Sequence, residues 1–254
     1  MKINYNFEKS EHILTSGKRV LFVGDIHGHY DKLMHELDRK KFDPSNDILY
    51  SLGDLIDRGS KPIECLKLIN EDWFMALLGN HDLFLLVYLL TGEDPQSYIA
   101  KIWHTQRSGG RWYLDLSEKD KEVVRKIAEK LSEAPVAREV VITSERFDKT
   151  HFGLVHAEVP NDNWHSVIDD KKRNNHADII TESRSRIKQH VNHPKKPLSN
   201  IRNIDYVLCG HSIVNRPKAL KNQVYLDTGS YRPDGRITCM SSDEIIENMR
   251  KANR

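Results

Sequence analysis

Five short motifs concentrate the residue types that bind metal ions in proteins. They are GDIHG, GDLIDRG, GNHD, VHAE and GHS, in that order along the chain. The candidate side chains in these motifs are Asp25, His27, Asp54, Asn80, His81, His156 and His211. Carboxylate, imidazole and amide oxygen groups suit manganese, iron or zinc, and the absence of thiolates argues against a closed structural zinc site. The motifs therefore predict a metal-dependent enzyme.

The number of candidate ligands favours two metal ions over one. Six of these side chains exceed what one tetrahedral catalytic site needs. A carboxylate such as Asp54 can bridge two ions, and the spacing of Asp25 and His27 lets a turn aim both side chains at one point. Paired cations about 3.5–4 Å apart can clamp a phosphoryl group and lower the pKa of the water between them. The pattern thus predicts two-metal hydrolysis of a phosphate ester.

A single motif of this kind would carry little weight, because a Gly-Asp pair at the end of a strand usually serves the turn itself. All five motifs, however, follow predicted strands, and four have a glycine directly before the ligand or beside it. Coincidence is a poor explanation for that arrangement.

The elements that must position the motifs form one repeated pattern in the first 90 residues. A short apolar run is followed by glycine with a polar residue, and then by a helical stretch. The three predicted strands are Arg19–Val23, Asp47–Leu52 and Trp73–Leu78, and the helices are Tyr30–Asp38, a helix opening at Ser60 and Pro62, and Leu83–Leu90. Such βαβ units form parallel sheets of α/β proteins, and ligands gather outside the carboxyl ends of their strands.

The rest of the chain predicts helices followed by further strands. Residues Asp94–Leu131 look helical, with an interruption at Arg107–Trp112. Further strands are predicted at Arg138–Thr143, His151–Val155, Tyr206–Cys209, Gln223–Leu226 and Arg236–Met240. The polar interval Asn161–Asn203 is interpreted as loops around one helix near Asp178–His190. No linker divides the chain convincingly, so residues 1–254 are expected to form a single domain.

Composition and charge exclude several classes of protein. The chain has 254 residues, of which 38% are hydrophobic and 30% charged, and its formal net charge is only +2. This balance argues against nucleic-acid binding. No signal peptide is evident, and the longest apolar run has eight residues where a membrane span needs about 20. A cytoplasmic protein with no membrane partner is therefore expected, and its three scattered cysteines are predicted to be buried, reduced thiols.

The ordered motifs resemble those of the PPP-type, calcineurin-like metallophosphoesterases. The likeness runs from about residue 18 to 240, and it is greatest to bacterial and bacteriophage lambda-type serine/threonine protein phosphatases. It includes GGRWYL near Gly110, RSRI at Arg184 and QVYLDTG ending at Gly229. The resemblance implies an α/β fold of the metallophosphoesterase type, a β-sandwich of two mixed sheets flanked by helices.

The resemblance also implies how the metals are held. Asp25, His27 and Asp54 would bind one ion. The second would be bound by Asp54, which bridges, together with Asn80, His156 and His211. Mn²⁺ is the favoured metal, and Fe, Zn, Ni or Co are also possible.

The same resemblance implies the catalytic roles. A metal-bridged hydroxide would attack phosphorus in line, while His81 protonates the leaving oxygen and Asp57 orients His81. Arg58 and Arg184 would contact the phosphate, with Arg186 a close rival to Arg184. The family often has Trp-Asn before that arginine where this chain has Glu182-Ser183, and GNHD replaces the more usual GNHE, with Asp82 expected to support a neighbouring ligand or arginine.

Three alternatives remain at this point. A symmetrical dinucleoside tetraphosphate hydrolase would use the same metal site, and LLGNHDLFLL resembles that branch as well, although Asp57 stands where that branch has a small residue. A non-catalytic scaffold should have lost ligands, and none is missing. A nuclease would need a basic groove, for which the sequence gives no sign.

The expected partners follow from the preferred activity. Phosphoproteins or phosphopeptides are the predicted substrates, and small phosphate esters should be hydrolysed in vitro. The basic segments Lys171–Arg173 and His193–Pro197 could receive acidic phosphoproteins, although a charged run is usually a solvated loop.

Overall fold

The computed structural model describes residues 5–15 and 17–252. Within these residues, the ten β-strands are β1 (Phe7–Leu14), β2 (Val20–Val23), β3 (Ile48–Ser51), β4 (Phe74–Met75), β5 (Ala137–Ser144), β6 (Thr150–Val155), β7 (Tyr206–Cys209), β8 (Lys218–Leu220), β9 (Gln223–Tyr225) and β10 (Cys239–Ser241). The ten α-helices of the same residues are α1 (Tyr30–Arg39), α2 (Pro62–Lys67), α3 (Asn80–Leu90), α4 (Tyr98–Trp103), α5 (Glu118–Leu131), α6 (His165–Ile168), α7 (Asp170–Asn175), α8 (Ala177–Glu182), α9 (Ser185–Asn192) and α10 (Ser242–Ala252).

The strands form two mixed sheets. One has the order β10-β2-β3-β4, in which β2, β3 and β4 are parallel and β10 is antiparallel to β2. The other has the order β1-β5-β6-β7-β9-β8 and also contains both kinds of pairing. The predicted α/β sandwich of two mixed sheets flanked by helices is confirmed.

Strand β2 shows how the two faces of a sheet are buried. Val20 and Phe22 lie in the core between the sheets, where the Phe22 ring is 5.4 Å from that of Phe152 on β6. Leu21 and Val23 point to the other face and join the cluster that contains Leu33 of α1. Because both faces are covered, the strand is a continuous apolar run rather than an alternating one.

The predicted repeat of strand, turn and helix is present, with shifted boundaries. Strand β4 ends at Met75 instead of Leu78, and helix α3 begins at Asn80 instead of Leu83. The residues between β4 and α3 are not part of the sheet, and the Leu78 N–H donates to the Pro135 carbonyl at 2.9 Å. This extended segment carries the chain from the sheet to Asn80.

One prediction about the interval 161–203 is wrong. The single helix expected near Asp178–His190 is two helices, α8 and α9, and α6 and α7 precede them. Ser183 breaks the helix because its backbone is extended, with φ −68° and ψ 143°. Within the basic segment Lys171–Arg173, Arg173 is buried and donates to the Tyr5 carbonyl at 2.6 Å, so that residue is structural.

Two elements, β1 and α10, were not predicted from the sequence. Strand β1 pairs in parallel with β5 at the edge of the larger sheet. Its sequence, FEKSEHIL, is mostly polar and therefore lacks an apolar signal. Helix α10 packs Ile245, Ile246 and Met249 into the core between the sheets. Both elements lie outside residues 18–240, the range over which the sequence resembles the family.

Two smaller predictions concern the cysteines and the membrane. Cys65, Cys209 and Cys239 are buried and not linked by disulfides, as predicted. Among the described residues, no helix combines the length and the apolar character that crossing a membrane requires.

Candidate active site

The loops that follow five strands meet at one edge of the sandwich. Each brings at least one of the predicted metal ligands. Asp25 and His27 follow β2, Asp54 follows β3, Asn80 follows β4, His156 follows β6 and His211 follows β7. All six side chains are buried. Both sheets therefore contribute to a single cluster, and every predicted ligand belongs to it.

Asp54 lies at the centre of this cluster. Its Oδ2 is 3.5 Å from His27 Nε2 and 3.3 Å from His156 Nε2. Two groups of potential metal ligands share it: one also contains His27 and His81, and the other contains His156 and His211. Within each group the ligand atoms lie within 4.8 Å of one another. The geometry thus suits a carboxylate shared by two cations.

The remaining two candidates flank this centre. Asp25 Oδ2 is 3.8 Å from His27 Nε2, and Asn80 Oδ1 is 3.2 Å from His156 Nε2. Asp25 also accepts the backbone N–H of His211 on both of its oxygens, at 3.0 and 3.1 Å. These contacts join the first half of the cluster to the second.

Backbone carbonyls fix the orientation of three histidines. His27 Nδ1 contacts the Ile56 carbonyl at 3.0 Å, and His156 Nδ1 contacts the Leu52 carbonyl at 2.7 Å. His211 uses its other nitrogen, Nε2, for the Glu182 carbonyl at 2.8 Å. When one ring nitrogen donates its proton to a carbonyl, the other is left with a lone pair for a metal ion. The donor set therefore fits a pair of divalent cations.

Several of these residues have an unusual backbone conformation. The φ angles of His27, Asp54 and His211 are 48°, 55° and 59°, and those of Asp57 and Arg58 are 74° and 68°. Non-glycine residues rarely adopt this left-handed region, and where they do, the surrounding structure must hold them there. The concentration of such residues in these loops marks the cluster as a functional site.

Two of the motif glycines leave room for ligand carboxylates. A Cβ at Gly79 would overlap the Asp54 carboxylate, and a Cβ at Gly210 would overlap the Asp25 carboxylate. Glycine therefore precedes Asn80 and His211 because the chain passes directly against a ligand from another loop.

Asp82 supports the loop that carries Asp54. Its Oδ2 accepts the backbone N–H groups of Asp54 and Gly79, at 2.8 and 2.9 Å, and its Oδ1 accepts that of Leu55 at 3.0 Å. Burial and the nearby Asp54 carboxylate raise the pKa of Asp82 to about 7. Among the described residues, Asp82 of GNHD thus contacts the backbone of the predicted ligand Asp54 rather than an arginine.

The cluster concentrates charge in a buried place. Burial and the neighbouring Asp227 raise the pKa of Asp25 well above its usual value. Burial also acts to raise the pKa of Asp54, but His156 and other imidazoles outweigh it and hold that pKa well below the usual value. Burial lowers the pKa of His156, whereas Asp54 and Asp25 raise it to about 10. Asp227 was not singled out from the sequence, although the QVYLDTG motif contains it.

His81 and Asp57 form a close pair beside the ligands. His81 Nδ1 is 2.6 Å from Asp57 Oδ2, and both side chains are buried. The indole N–H groups of Trp103 and Trp112 also donate to Asp57, each at 2.8 Å. Burial raises the pKa of Asp57. With Nδ1 held by Asp57, His81 turns Nε2 toward the cavity, where it accepts from Arg58 Nη2 at 3.0 Å. A leaving oxygen that replaces this contact would meet Nε2 in the orientation that proton transfer needs.

Arg58 and Arg184 both line the cavity, whereas Arg186 does not. Arg58 donates through Nη2 to His81 Nε2 at 3.0 Å and through Nη1 to His27 Nε2 at 2.6 Å. Arg184 donates to the His211 carbonyl at 3.1 Å. Arg186 is buried and donates to Asp162 at 2.8 Å and to the Ser199 carbonyl at 2.6 Å. Arg184 is therefore the arginine of the pair that faces the site.

The cavity has a volume of about 560 Å³, opens to the surface and is lined by both apolar and charged side chains. Phe84 and Tyr231 line its wall, and Lys101 and Arg107 lie at its edge. The Arg58 guanidinium is 4.2 Å from the centre of the Tyr231 ring, which holds the cation in place.

Known proteins are similar to this chain in sequence and in fold. A family model described as Calcineurin-like phosphoesterase matches residues 18–215. The chain is 31% identical to serine/threonine-protein phosphatase 2 of Salmonella typhimurium over 214 residues, which are 84% of this chain and 88% of that protein. It is 51% identical to a symmetrical bis(5'-nucleosyl)-tetraphosphatase of Mannheimia succiniciproducens over 67 residues, 26% of this chain and 24% of that protein.

A solved structure extends the likeness in fold. The cold-active protein-tyrosine phosphatase of a psychrophilic Shewanella species superposes with a TM-score of 0.52 at 16% identity, over 92% of this chain and 77% of that one. The family match spans all six candidate ligands and the His81–Asp57 pair. Members of this family are hydrolases that use a pair of divalent metal ions, and the chain belongs to the calcineurin-like phosphoesterases.

Proposed function

We propose that the chain is a protein-serine/threonine phosphatase that hydrolyses phosphoproteins or phosphopeptides. The observation that carries this proposal is the buried contact of 2.6 Å between His81 Nδ1 and Asp57 Oδ2. A serine or threonine alkoxide is a poor leaving group and must be protonated as it departs. The pair provides a group suited to that task.

His81 acts as the general acid in this proposal. Asp57 accepts from Nδ1 and fixes the orientation of the ring, so that Nε2 can deliver a proton to the leaving oxygen. A positioned acid of this kind accelerates a reaction by roughly 10²–10⁴-fold. An anhydride substrate, whose leaving group is better, gains less from the pair.

The six ligands are proposed to divide between two ions, with Mn²⁺ the favoured metal. Asp25, His27 and Asp54 hold one, and Asp54, Asn80, His156 and His211 hold the other. When bound, such a pair acts as a Lewis acid on the phosphoryl oxygens and lowers the pKa of a water molecule. Because both sheets supply ligands to one centre, we also propose that the chain is one catalytic domain.

Arg58 and Arg184 are proposed to bind the phosphate. A planar guanidinium can contact two phosphate oxygens with parallel N–H groups in a fixed geometry, which the flexible ammonium of lysine lacks. Arg58 lies at the imidazoles of His27 and His81, so it reaches both the metal ligands and the proton donor. The exposed cations at the edge of the cavity, Lys101 and Arg107, suit an acidic peptide around the phosphorylated residue.

The comparisons support this function and one rival. Similarity to serine/threonine-protein phosphatase 2 extends along most of both chains, which favours the phosphatase. Hydrolysis of a symmetrical dinucleoside tetraphosphate is the second candidate, favoured by the higher identity to a tetraphosphatase. That identity is confined to 67 residues, about a quarter of either chain.

A direct competition separates the two functions. A phosphoserine peptide and diadenosine tetraphosphate are offered at equal concentration with Mn²⁺, and release of phosphate and of nucleotide is followed separately. We expect the peptide to be hydrolysed with the larger kcat/KM. Turnover of the dinucleotide alone would overturn the proposed substrate class.

A further inference from the structure

The Asp57 carboxylate accepts more hydrogen bonds than its role toward His81 requires. Oδ2 contacts both His81 Nδ1 at 2.6 Å and the indole N–H of Trp103 at 2.8 Å. Oδ1 accepts the indole N–H of Trp112, also at 2.8 Å. The Asp57 side chain is fully buried. Both oxygens are therefore held, and the plane of the carboxylate cannot turn away from His81.

The two tryptophans come from a segment distant in sequence from the DRG motif. Trp103 ends helix α4, and Trp112 lies in a short 3-10 helix at Gly110–Tyr113. Two glycines let this segment approach the motif. A Cβ at Gly109 would lie 2.7 Å from the Arg58 backbone nitrogen, and a Cβ at Gly110 would overlap the Trp103 indole. The segment thus packs directly onto Asp57 and Arg58.

An indole N–H suits this position for a chemical reason. It donates a hydrogen bond but carries no charge and accepts none. A lysine or arginine in its place would neutralise Asp57 and compete with His81 for it. Two neutral donors stabilise the carboxylate in its buried place and leave its negative charge available to the imidazole.

We propose that Trp103 and Trp112 are positioning residues that hold the Asp57 carboxylate in line with His81. This inference rests on the proposed role of His81 as proton donor. Without the two N–H groups, the Asp57 carboxylate can turn away from His81 Nδ1, and His81 loses the hydrogen bond that holds Nε2 toward the cavity. Hydrolysis of substrates with poor leaving groups then slows most, because those substrates depend on the proton.

The test uses the metal-loaded full chain with Trp103→Phe and Trp112→Phe, which remove the N–H and keep an aromatic ring. For each variant, kcat and KM are measured on a phosphoserine peptide and on p-nitrophenyl phosphate, with metal content and thermal unfolding alongside. We expect kcat on the peptide to fall roughly 10–100-fold, the range typical of groups that orient a functional residue. The fall on p-nitrophenyl phosphate should be several times smaller, with KM and metal content unchanged.

Trp164→Phe is the matched control. Its buried indole N–H also donates to a carboxylate, Glu139 Oε2 at 2.9 Å, but it does not line the cavity. This variant should keep the wild-type ratio of kcat on the two substrates. Since Trp103 is fully buried and its variant could misfold, the half-buried Trp112 provides the second, independent measurement.

Asp57→Asn, measured in parallel, tests the proton-donor role of the His81–Asp57 pair separately from the positioning role of the tryptophans. If Asp57→Asn favours p-nitrophenyl phosphate while the folded Trp103 and Trp112 variants keep the wild-type ratio, the positioning role is wrong and the proposed acid stands. If Asp57→Asn also keeps the wild-type ratio, the pair is not a proton donor and both ideas fall. A shifted ratio in the tryptophan variants but not in Trp164→Phe supports the inference.

Discussion

Replacing Asp57 by asparagine should lower the rate of hydrolysis far more than it lowers the stability of the fold. Three N–H groups point at this carboxylate, from His81, Trp103 and Trp112. Asparagine offers one carbonyl oxygen and one NH₂ group, so its NH₂ must face at least one N–H donor in either orientation. The substitution therefore breaks the arrangement without changing the volume of the side chain.

The expected loss of activity follows from the role of the proton. Without the carboxylate as acceptor, His81 Nδ1 loses its partner and Nε2 is no longer held toward the leaving oxygen, so most of the acid catalysis disappears. We expect kcat on a phosphoserine peptide to fall by roughly 10²–10⁴-fold. At about 1.4 kcal/mol per factor of ten, that is a rise of about 3–5 kcal/mol in the activation barrier. The loss on p-nitrophenyl phosphate should be smaller, because its phenolate leaves with little need of a proton.

The expected loss of stability is smaller. At least one buried donor loses its acceptor, which costs about 1–3 kcal/mol. Elemental analysis should find bound metal near the wild-type level, since Asp57 is outside both groups of potential metal ligands. Thermal unfolding measures the loss of stability, and elemental analysis checks that the metal content is unchanged.

Asp47→Asn is a suitable control for this experiment. Asp47 is a buried carboxylate that accepts from Arg19 Nε at 3.0 Å and from the Asp43 backbone N–H at 2.9 Å. It directly precedes β3, at the end opposite to Asp54. Its replacement should lower the unfolding temperature and leave the ratio of kcat on the two substrates unchanged. Equal losses on both substrates in Asp57→Asn would refute the assignment of the acid.

The other predictions concern the ligands and the arginines. His81→Asn should lower kcat severely with bound metal near normal, and a loss of metal in elemental analysis would make His81 a ligand or a structural residue. Asp54→Asn should reduce the occupancy of both metals, whereas a loss of only one ion would argue against bridging. Arg184→Ala should raise KM for phosphopeptides with little change in unfolding temperature, since the side chain is exposed at the cavity. Arg186→Ala should instead destabilise the fold by about 1–3 kcal/mol, seen in denaturant unfolding, because Asp162 and the carbonyls of Ser199 and Leu220 lose their donor.

The ligand cluster could be predicted from the sequence because its signals are local. Each ligand follows a short apolar run, and glycine stands where the chain must pass closely against another loop, as at Gly79 and Gly210. The parallel βαβ pattern of the first 90 residues then places the ends of β2, β3 and β4 at the same edge. No long-range information is needed for that part of the site.

The tryptophans on Asp57 could not be found in this way. Trp103 is 46 residues from Asp57 and Trp112 is 55 residues away, and no spacing rule connects positions so far apart. An indole in an apolar helix predicts core packing, so its N–H carries no signal of its own. The GGRWYL stretch indicated that the segment mattered without showing what it touches.

The break at Ser183 in the predicted helix Asp178–His190 also depends on contacts distant in sequence. A helical pattern continues through Asp178–His190, yet the Glu182 carbonyl accepts from His211 Nε2 and Ser183 Oγ donates to Glu158 at 2.6 Å. These tertiary contacts favour the extended backbone at Ser183 over a continuous helix. The local preference is real, but the contacts that override it come from other parts of the chain.

In the proposed division of the ligands between two sheets, the bound cations would join the two layers as well as take part in hydrolysis. Asp25, Asp54 and Asn80 follow strands of one layer, whereas His156 and His211 follow strands of the other. Ions that bind only the folded chain stabilise it in proportion to the logarithm of their free concentration once the sites are well filled. Under the proposed binding, depletion of the metal would therefore lower the amount of folded protein along with its activity.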